Sequence, residues 1–179
     1  MTIVVDDAGM GDLLFGVVIS AFRRETEEFG YEIVDVKYFR PPRFRLKEYL
    51  KQASIVVFRL LRRLGLEADE PIQICKGYIF DEAVKDLKER YDANRIRRIK
   101  VIGEPQRLTE IAYLDELRNL GYEPVEERDK KRAKSFFHMM KWLEKNPDKL
   151  IYAKTGWPRL LRYPLFRSSR QRGSKEYTK

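Results

Sequence analysis

The residues best suited to chemistry lie near the start of the chain, in the run Asp6-Asp7-Ala8-Gly9-Met10-Gly11. Two adjacent carboxylates follow the β-branched run Thr2–Val5, which predicts a buried strand. Mg²⁺ and similar ions prefer oxygen ligands, usually one or two carboxylates together with phosphate oxygens. The glycines leave backbone N–H groups open to a phosphate. The pattern therefore predicts a divalent-metal site, Mg²⁺ or Mn²⁺, with Asp6, Asp7 and Asp12 as ligands.

These acids and several other polar residues can each be interpreted in two ways. Asp6 and Asp7 could simply form a tight turn, which aspartate favours. Asp81 and Asp115 are the candidates to complete a catalytic site, although Asp81 also suits a helix N-cap and Asp115 a solvated helix face. Lesser candidates are expected to be structural: the acids Glu48 and Glu104, the single histidine His138 and the single cysteine Cys75.

The elements that must position these acids follow from hydrophobic periodicity. Alternating or continuous apolar runs predict strands at Thr2–Val5, Leu13–Phe22, Tyr31–Phe39, Pro71–Cys75 and Arg97–Ile102. Helical spacing predicts helices over 46–64, 81–91, 108–117 and 131–143. The order is β-β-β-α-β-α-β-α with a further helix, which indicates an α/β domain with a mixed five-stranded sheet. The continuously apolar first strand should lie centrally, between the second and fourth.

In that context Asp6–Gly11 resembles the Asp-Glu-Ala-Gly-Arg-Gly motif of type 2 ribonuclease H. The stretch Leu13–Phe22, with Gly16, is similar to that family's apolar second strand, and the predicted element order matches the ribonuclease H-like fold. The resemblance implies metal-dependent hydrolysis of a phosphodiester in nucleic acid. It places the metal on Asp6, with Asp7 and a later acid, Asp81 or Asp115, completing the site.

The sequence also departs from that motif. Met10 stands where the motif has arginine, and the predicted strand Ile72–Cys75 contains no acid. The alternative is therefore a catalytically silent domain of the same fold that binds nucleic acid or a protein partner.

Two weaker resemblances remain open. The run Asp6–Gly9 is faintly similar to the first phosphate loop of sugar-kinase and actin-like ATPases, which need two such domains. Lys76-Gly77-Tyr78, leading into the predicted helix at Asp81, could instead form an anion site at a helix N-terminus in a Rossmann-like domain.

Charge is distributed unevenly along the chain. Of the net charge of +9, residues Ile151–Lys179 carry +7, from eight basic residues and Glu176. We therefore expect a domain over 1–150 and a basic extension over 151–179, whose aromatic residues and cations suit nucleic acid. The alternatives are a solvated tail, an acidic protein or a lipid surface. The predicted phosphate contacts are Lys154, Arg159, Arg162, Arg167, Arg170 and Arg172.

The remaining composition indicates where the protein works. A lone cysteine excludes an intramolecular disulfide and favours a reducing compartment. Neither a signal peptide nor an apolar run of spanning length is present, so we expect a cytoplasmic protein with no membrane contact. The 36% charged content suits a heat-loving source. The sequence leaves the oligomeric state open.

Overall fold

The computed structural model describes residues 1–126 and 130–167. Five strands form a single mixed sheet, and the element order matches the predicted one. The strands are β1 (Ile3–Ala8), β2 (Val17–Arg23), β3 (Phe29–Val34), β4 (Ile72–Cys75) and β5 (Ile96–Ile99). The helices are α1 (Glu48–Arg63), α2 (Asp81–Arg90), α3 (Glu104–Asn119) and α4 (Arg132–Lys145).

The strand order in the sheet is β3-β2-β1-β4-β5. β1 pairs antiparallel with β2 and parallel with β4, so the predicted central position of the first strand is confirmed. Ile3, Val4 and Val5 are fully buried because helices cover both faces of the sheet. A strand enclosed on both faces has to be continuously apolar, which is why this run contains no alternating polar residues.

Each face of the sheet carries its own hydrophobic core. On one face, α1 and α2 pack against Ile3, Val5 and Ile74. On the other face, α3 and α4 pack around Ala8 and Val18. The chain therefore forms three layers, helix–sheet–helix, which is the ribonuclease H-like α/β architecture expected from the sequence. Within the described ranges, no helix is long and apolar enough to cross a membrane.

Several predicted element bounds were wrong. The first strand runs on to Ala8, because β2 pairs with it along its whole length. The second strand begins only at Val17, since the chain turns at Phe15, which has a φ of +67°. The third strand ends at Val34, where Asp35 accepts a hydrogen bond of 2.7 Å from the Lys37 amide and starts a 3-10 helix.

The segment after α4 packs onto the second core. It contains 3-10 helices at Pro147–Tyr152 and Pro158–Arg162, and Ala153 forms an antiparallel bridge with Leu14. Leu160 and Phe166 are almost completely buried in the same core. Residues 153–167 therefore contribute to the hydrophobic interior. The division of the chain into a domain over 1–150 and an extension over 151–179 stays a prediction.

This packing predicts different effects for two truncations. A chain ending at Tyr152 loses Leu160 and Phe166, and burying each large apolar side chain contributes roughly 1.5–3 kcal/mol. We expect its Tm to fall by at least about 6 °C in calorimetry. A chain ending at Arg167 keeps these contacts and should melt within about 2 °C of the full-length protein. Equal melting temperatures for the two truncated chains would contradict this packing.

Candidate metal centre

The two predicted acids lie where the central strand extends beyond its parallel neighbour. β1 pairs with β4 through Ile3–Val5, so Asp6 and Asp7 follow the end of that pairing. Cys75 is the last residue of β4 and lies beside them. One ligand atom from each of Asp6, Asp7 and Cys75 lies within 4.8 Å of the others. The fold therefore gathers two carboxylates and a thiol at the carboxyl ends of two parallel strands, where α/β folds commonly bind ligands.

Gly9 shapes the turn that follows these acids. Its φ is +90°, and a Cβ added there would overlap the ring of Tyr113. The Tyr113 hydroxyl donates a hydrogen bond of 2.9 Å to the Leu14 carbonyl, which holds the ring in place. No residue with a side chain fits at this position. The tight turn therefore lies directly beside the two acids.

The Asp7 carboxyl group has a strongly perturbed pKa. Burial, and then the negative charges of Asp6 and Glu110, raise the pKa, Lys154 lowers it, and the net result is a pKa of about 7. Burial also raises the pKa of Asp6, against hydrogen bonds from the Cys75 thiol and the Asp7 amide. The site therefore concentrates negative charge in a place with little water, which favours a proton or a cation.

Cys75 is a thiol in the metal-free site. Burial raises its pKa to about 11, and the adjacent carboxylates act in the same direction. Metal binding at Cys75 would have to displace this proton, so thiolate ligation would depend on pH.

Lys154 lies next to the carboxylates. Its side chain is fully buried, and its ammonium group donates a hydrogen bond to the Gly9 carbonyl. It also lies 5.2 Å from the centre of the Phe39 ring. Its positive charge lowers the pKa of Asp7, so the chain already provides one counter-charge to the acids.

The other predicted acids lie outside this group. Asp12 is buried in the turn after β1, with its amide bonded to the Gly9 carbonyl at 3.1 Å. Asp81 opens α2, and its exposed carboxylate pairs with Arg98 at 2.6 Å, while the helix N-cap is Phe80. Asp115 lies exposed on α3 and pairs with Arg118 at 3.0 Å. Within residues 1–126 and 130–167, the group of three close ligands includes none of these acids.

The predicted phosphate contacts differ in exposure. Arg159 is exposed beside the Trp157 ring, and Arg162 is exposed in the same 3-10 helix. Arg167 is exposed and bonds to the carbonyls of Leu161 and Arg162. Lys154 is enclosed at the acids, and Arg170 and Arg172 lie outside the described residues.

Three residues of the site were missed or assigned another role from the sequence. Cys75 was interpreted as a packing residue, Glu110 was not considered, and Lys154 was assigned to an exposed tail. A usable signal existed for Cys75, since it ends a strand predicted to run parallel to the first one. Glu110 and Lys154 reach the site through tertiary packing of α3 and of the C-terminal segment, which local sequence patterns do not reveal.

The donor set fits one divalent metal ion. Bonds of about 2.0–2.5 Å from a shared ion allow donor atoms to lie up to about 5 Å apart, as these three do. Carboxylate oxygens suit Mg²⁺ and Mn²⁺, whereas a thiolate selects against Mg²⁺ and for softer ions.

Comparisons with known proteins are sparse but agree with the fold. No protein-family profile matches the chain, and no curated protein matches it. A solved structure described as Bst-RNase HIII in complex with Mn²⁺ is similar, with a TM-score of 0.52 and 13% sequence identity. The similarity covers 97% of this chain and 70% of that one. The chain therefore has a ribonuclease H-like fold, and the resemblance to type 2 ribonuclease H is confirmed at the level of structure.

The raised pKa of Asp7 predicts that the stability of the metal-free protein depends on pH. Its pKa lies near 7 in the folded state and near its ordinary value of 3.8 in the unfolded state, so stability falls as the pH rises between the two. We expect Asp7→Asn to raise the Tm in EDTA by several degrees at about pH 8, and by clearly less at about pH 5.

The matched control for this measurement is Asp115→Asn. That carboxylate is exposed and paired with Arg118, so its removal should change the Tm little at either pH. If Asp7→Asn is no more stable than the wild type at about pH 8, the site is not electrostatically strained.

Proposed function

We propose that this chain acts on nucleic acid and hydrolyses a phosphodiester bond with one divalent metal ion held by Asp6, Asp7 and Cys75. The observation that carries the proposal is the convergence of these three donors within 4.8 Å at the end of the central strand. The ribonuclease H-like fold agrees with it, and the solved structure similar in fold was described with Mn²⁺. We place this activity in the cytoplasm.

A bound divalent ion would supply charge neutralisation at the scissile phosphate and a more acidic water molecule. The chain's own residues provide the surroundings. Asp6 and Asp7 attract the cation, and glycine at position 9 lets the chain turn against the Tyr113 ring next to them. Lys154 holds a positive charge beside Asp7, where it would also attract a phosphate.

The proposed metal preference is Mn²⁺ over Mg²⁺. Cys75 ends β4, a strand that contains no acid, and sulfur is a poor ligand for Mg²⁺. Asp81 and Asp115 were proposed to complete the site. Their exposed ion pairs with Arg98 and Arg118 favour Glu110 instead, whose charge acts on Asp7.

A second function is favoured by two specific observations. Cys75 places a protonated thiol beside the carboxylates, and Lys154 neutralises part of the acidic charge without any metal. Both features suit a catalytically silent domain that binds nucleic acid, with the buried charges retained for structure.

The decisive assay is cleavage of labelled RNA–DNA hybrid, single-stranded RNA and duplex DNA in Mn²⁺, in Mg²⁺ and in EDTA. We expect cleavage in Mn²⁺ that Asp6→Asn reduces by more than about 100-fold, since even partners outside the ligand shell cost 10- to 100-fold. Cys75→Asp should shift the preference toward Mg²⁺, because it replaces sulfur with a hard oxygen ligand.

Asp81→Asn and Asp115→Asn are the matched controls. They remove carboxylates of the same type from exposed ion pairs, so cleavage should persist in both. Cleavage that disappears in either control would restore the sequence-based assignment of that acid. Full binding of nucleic acid with no cleavage in any metal would establish the silent alternative.

A further inference from the structure

A second cationic region, distant in sequence from the C-terminal segment, lies between β3 and α1. Residues 37–47, here called the cationic loop, contain no acid. Its two flanking acids each pair loosely with a loop cation, Lys37 with Asp35 and Arg43 with Glu48, both at 3.8 Å. The five cations of the loop are Lys37, Arg40, Arg43, Arg45 and Lys47.

Most of these cations face solvent. The side chains of Lys37 and Arg43 are 54% and 44% exposed, and Arg45 and Lys47 are exposed as well. Among residues 1–126 and 130–167, neither Arg45 nor Lys47 has an acidic partner within 4.0 Å. The loop therefore presents positive charge that the rest of the described chain leaves largely uncompensated.

The loop is held in a fixed shape. Phe39 and Phe44 stack on Tyr49 of α1, with ring centres 5.2 and 5.3 Å away. The Gly156 amide donates a hydrogen bond of 2.9 Å to the Phe39 carbonyl, and a Cβ at Gly156 would overlap Phe44. The Arg40 guanidinium donates to the Ile151 carbonyl at 3.2 Å. Ordered cations lose less conformational entropy on binding than cations on a free tail.

The same aromatic contacts connect the loop to the metal centre. The Phe39 ring lies 5.2 Å from the Lys154 ammonium, which bonds to Gly9 beside the acids. Tyr49 contacts Tyr78 edge to face, with ring centres 6.4 Å apart. Tyr78 is 51% exposed, and Asp7 is close enough to act on its pKa. A series of contacting side chains therefore connects the exposed loop to the proposed reaction site.

We propose that the cationic loop is the principal nucleic-acid docking surface and binds backbone phosphates next to the metal centre. The inference rests on the proposed function, since it names the surface that would deliver a phosphodiester to that site. Three of the five cations are arginines, whose planar guanidinium groups bind phosphate in a bidentate manner. Tyr78 would stack on a base exposed beside the site.

The test is a titration of labelled RNA–DNA hybrid, single-stranded RNA and duplex DNA at several salt concentrations. EDTA is present, so no hydrolysis consumes the probe. The loop variant combines Arg43→Gln, Arg45→Gln and Lys47→Asn. Asparagine is chosen at Lys47 because the backbone there is left-handed, with a φ of +54°, and asparagine tolerates that conformation.

We expect the loop variant to bind about tenfold or more weakly at low salt. Its log–log salt slope should be smaller by about 3, one unit for each lost phosphate contact. A control with the same net charge combines Arg62→Gln, Arg63→Gln and Lys88→Gln. Arg62 and Arg63 lie in the last turn of α1, about 20 Å along the helix axis from the loop. This control should keep the wild-type slope, and both variants should melt like the wild type.

Three results would overturn the proposal: an unchanged slope in the loop variant, an equal loss in the control, or no binding of any nucleic acid by the wild type at low salt. Leu46, an exposed apolar residue in the loop, makes an anionic lipid surface the competing partner. Binding to phosphatidylserine vesicles without binding to nucleic acid would establish that partner. Loop-dependent binding here, together with no cleavage in the assay with Mn²⁺ and Mg²⁺, would refute the proposed hydrolysis and leave the docking surface supported.

Discussion

The buried ammonium of Lys154, hydrogen-bonded to the Gly9 carbonyl, joins three parts of the molecule. It approaches the acids that follow β1, it contacts the Phe39 ring of the cationic loop, and it belongs to the C-terminal segment. A buried lysine is stable only when its charge is compensated. Compensation by the acids therefore requires the C-terminal segment to fold back onto the sheet. Two further contacts hold the C-terminal segment against the sheet. Ala153 forms a β-bridge with Leu14, and Leu160 and Phe166 are buried.

The same arrangement determines what the site can bind. The Asp6 and Asp7 carboxylates lie too close together, and in too little water, to keep their ordinary pKa values. One counter-charge from Lys154 reduces this strain but does not remove it, since the pKa of Asp7 still lies near 7. In the proposed function, the remaining negative charge attracts one divalent cation, and Cys75 would alter the kind of cation that the site favours. Charge and ligand type together distinguish this site from one built wholly of carboxylates.

The sequence predicted the fold well, because the fold depends on local patterns. Continuous apolar runs, helical spacing and the turn at Gly9 specify the element order and the central position of β1. Asp6 and Asp7 were identified because the two carboxylates are adjacent in the sequence. Glu110, Cys75 and Lys154 come from three distant segments, and only tertiary packing brings them together. Lys154 is the clearest case, since its place in a basic stretch predicted an exposed tail, whereas the structure buries it completely.

The central claim is that Asp6, Asp7 and Cys75 hold one divalent metal ion. Anomalous diffraction from crystals grown with saturating Mn²⁺ and collected at the manganese edge tests it most directly. We expect one peak within bonding distance of both carboxylates and the Cys75 sulfur, with the Lys154 ammonium still on the Gly9 carbonyl. A map with no peak there at saturating Mn²⁺, and with Lys154 alone neutralising the two acids, would contradict the account.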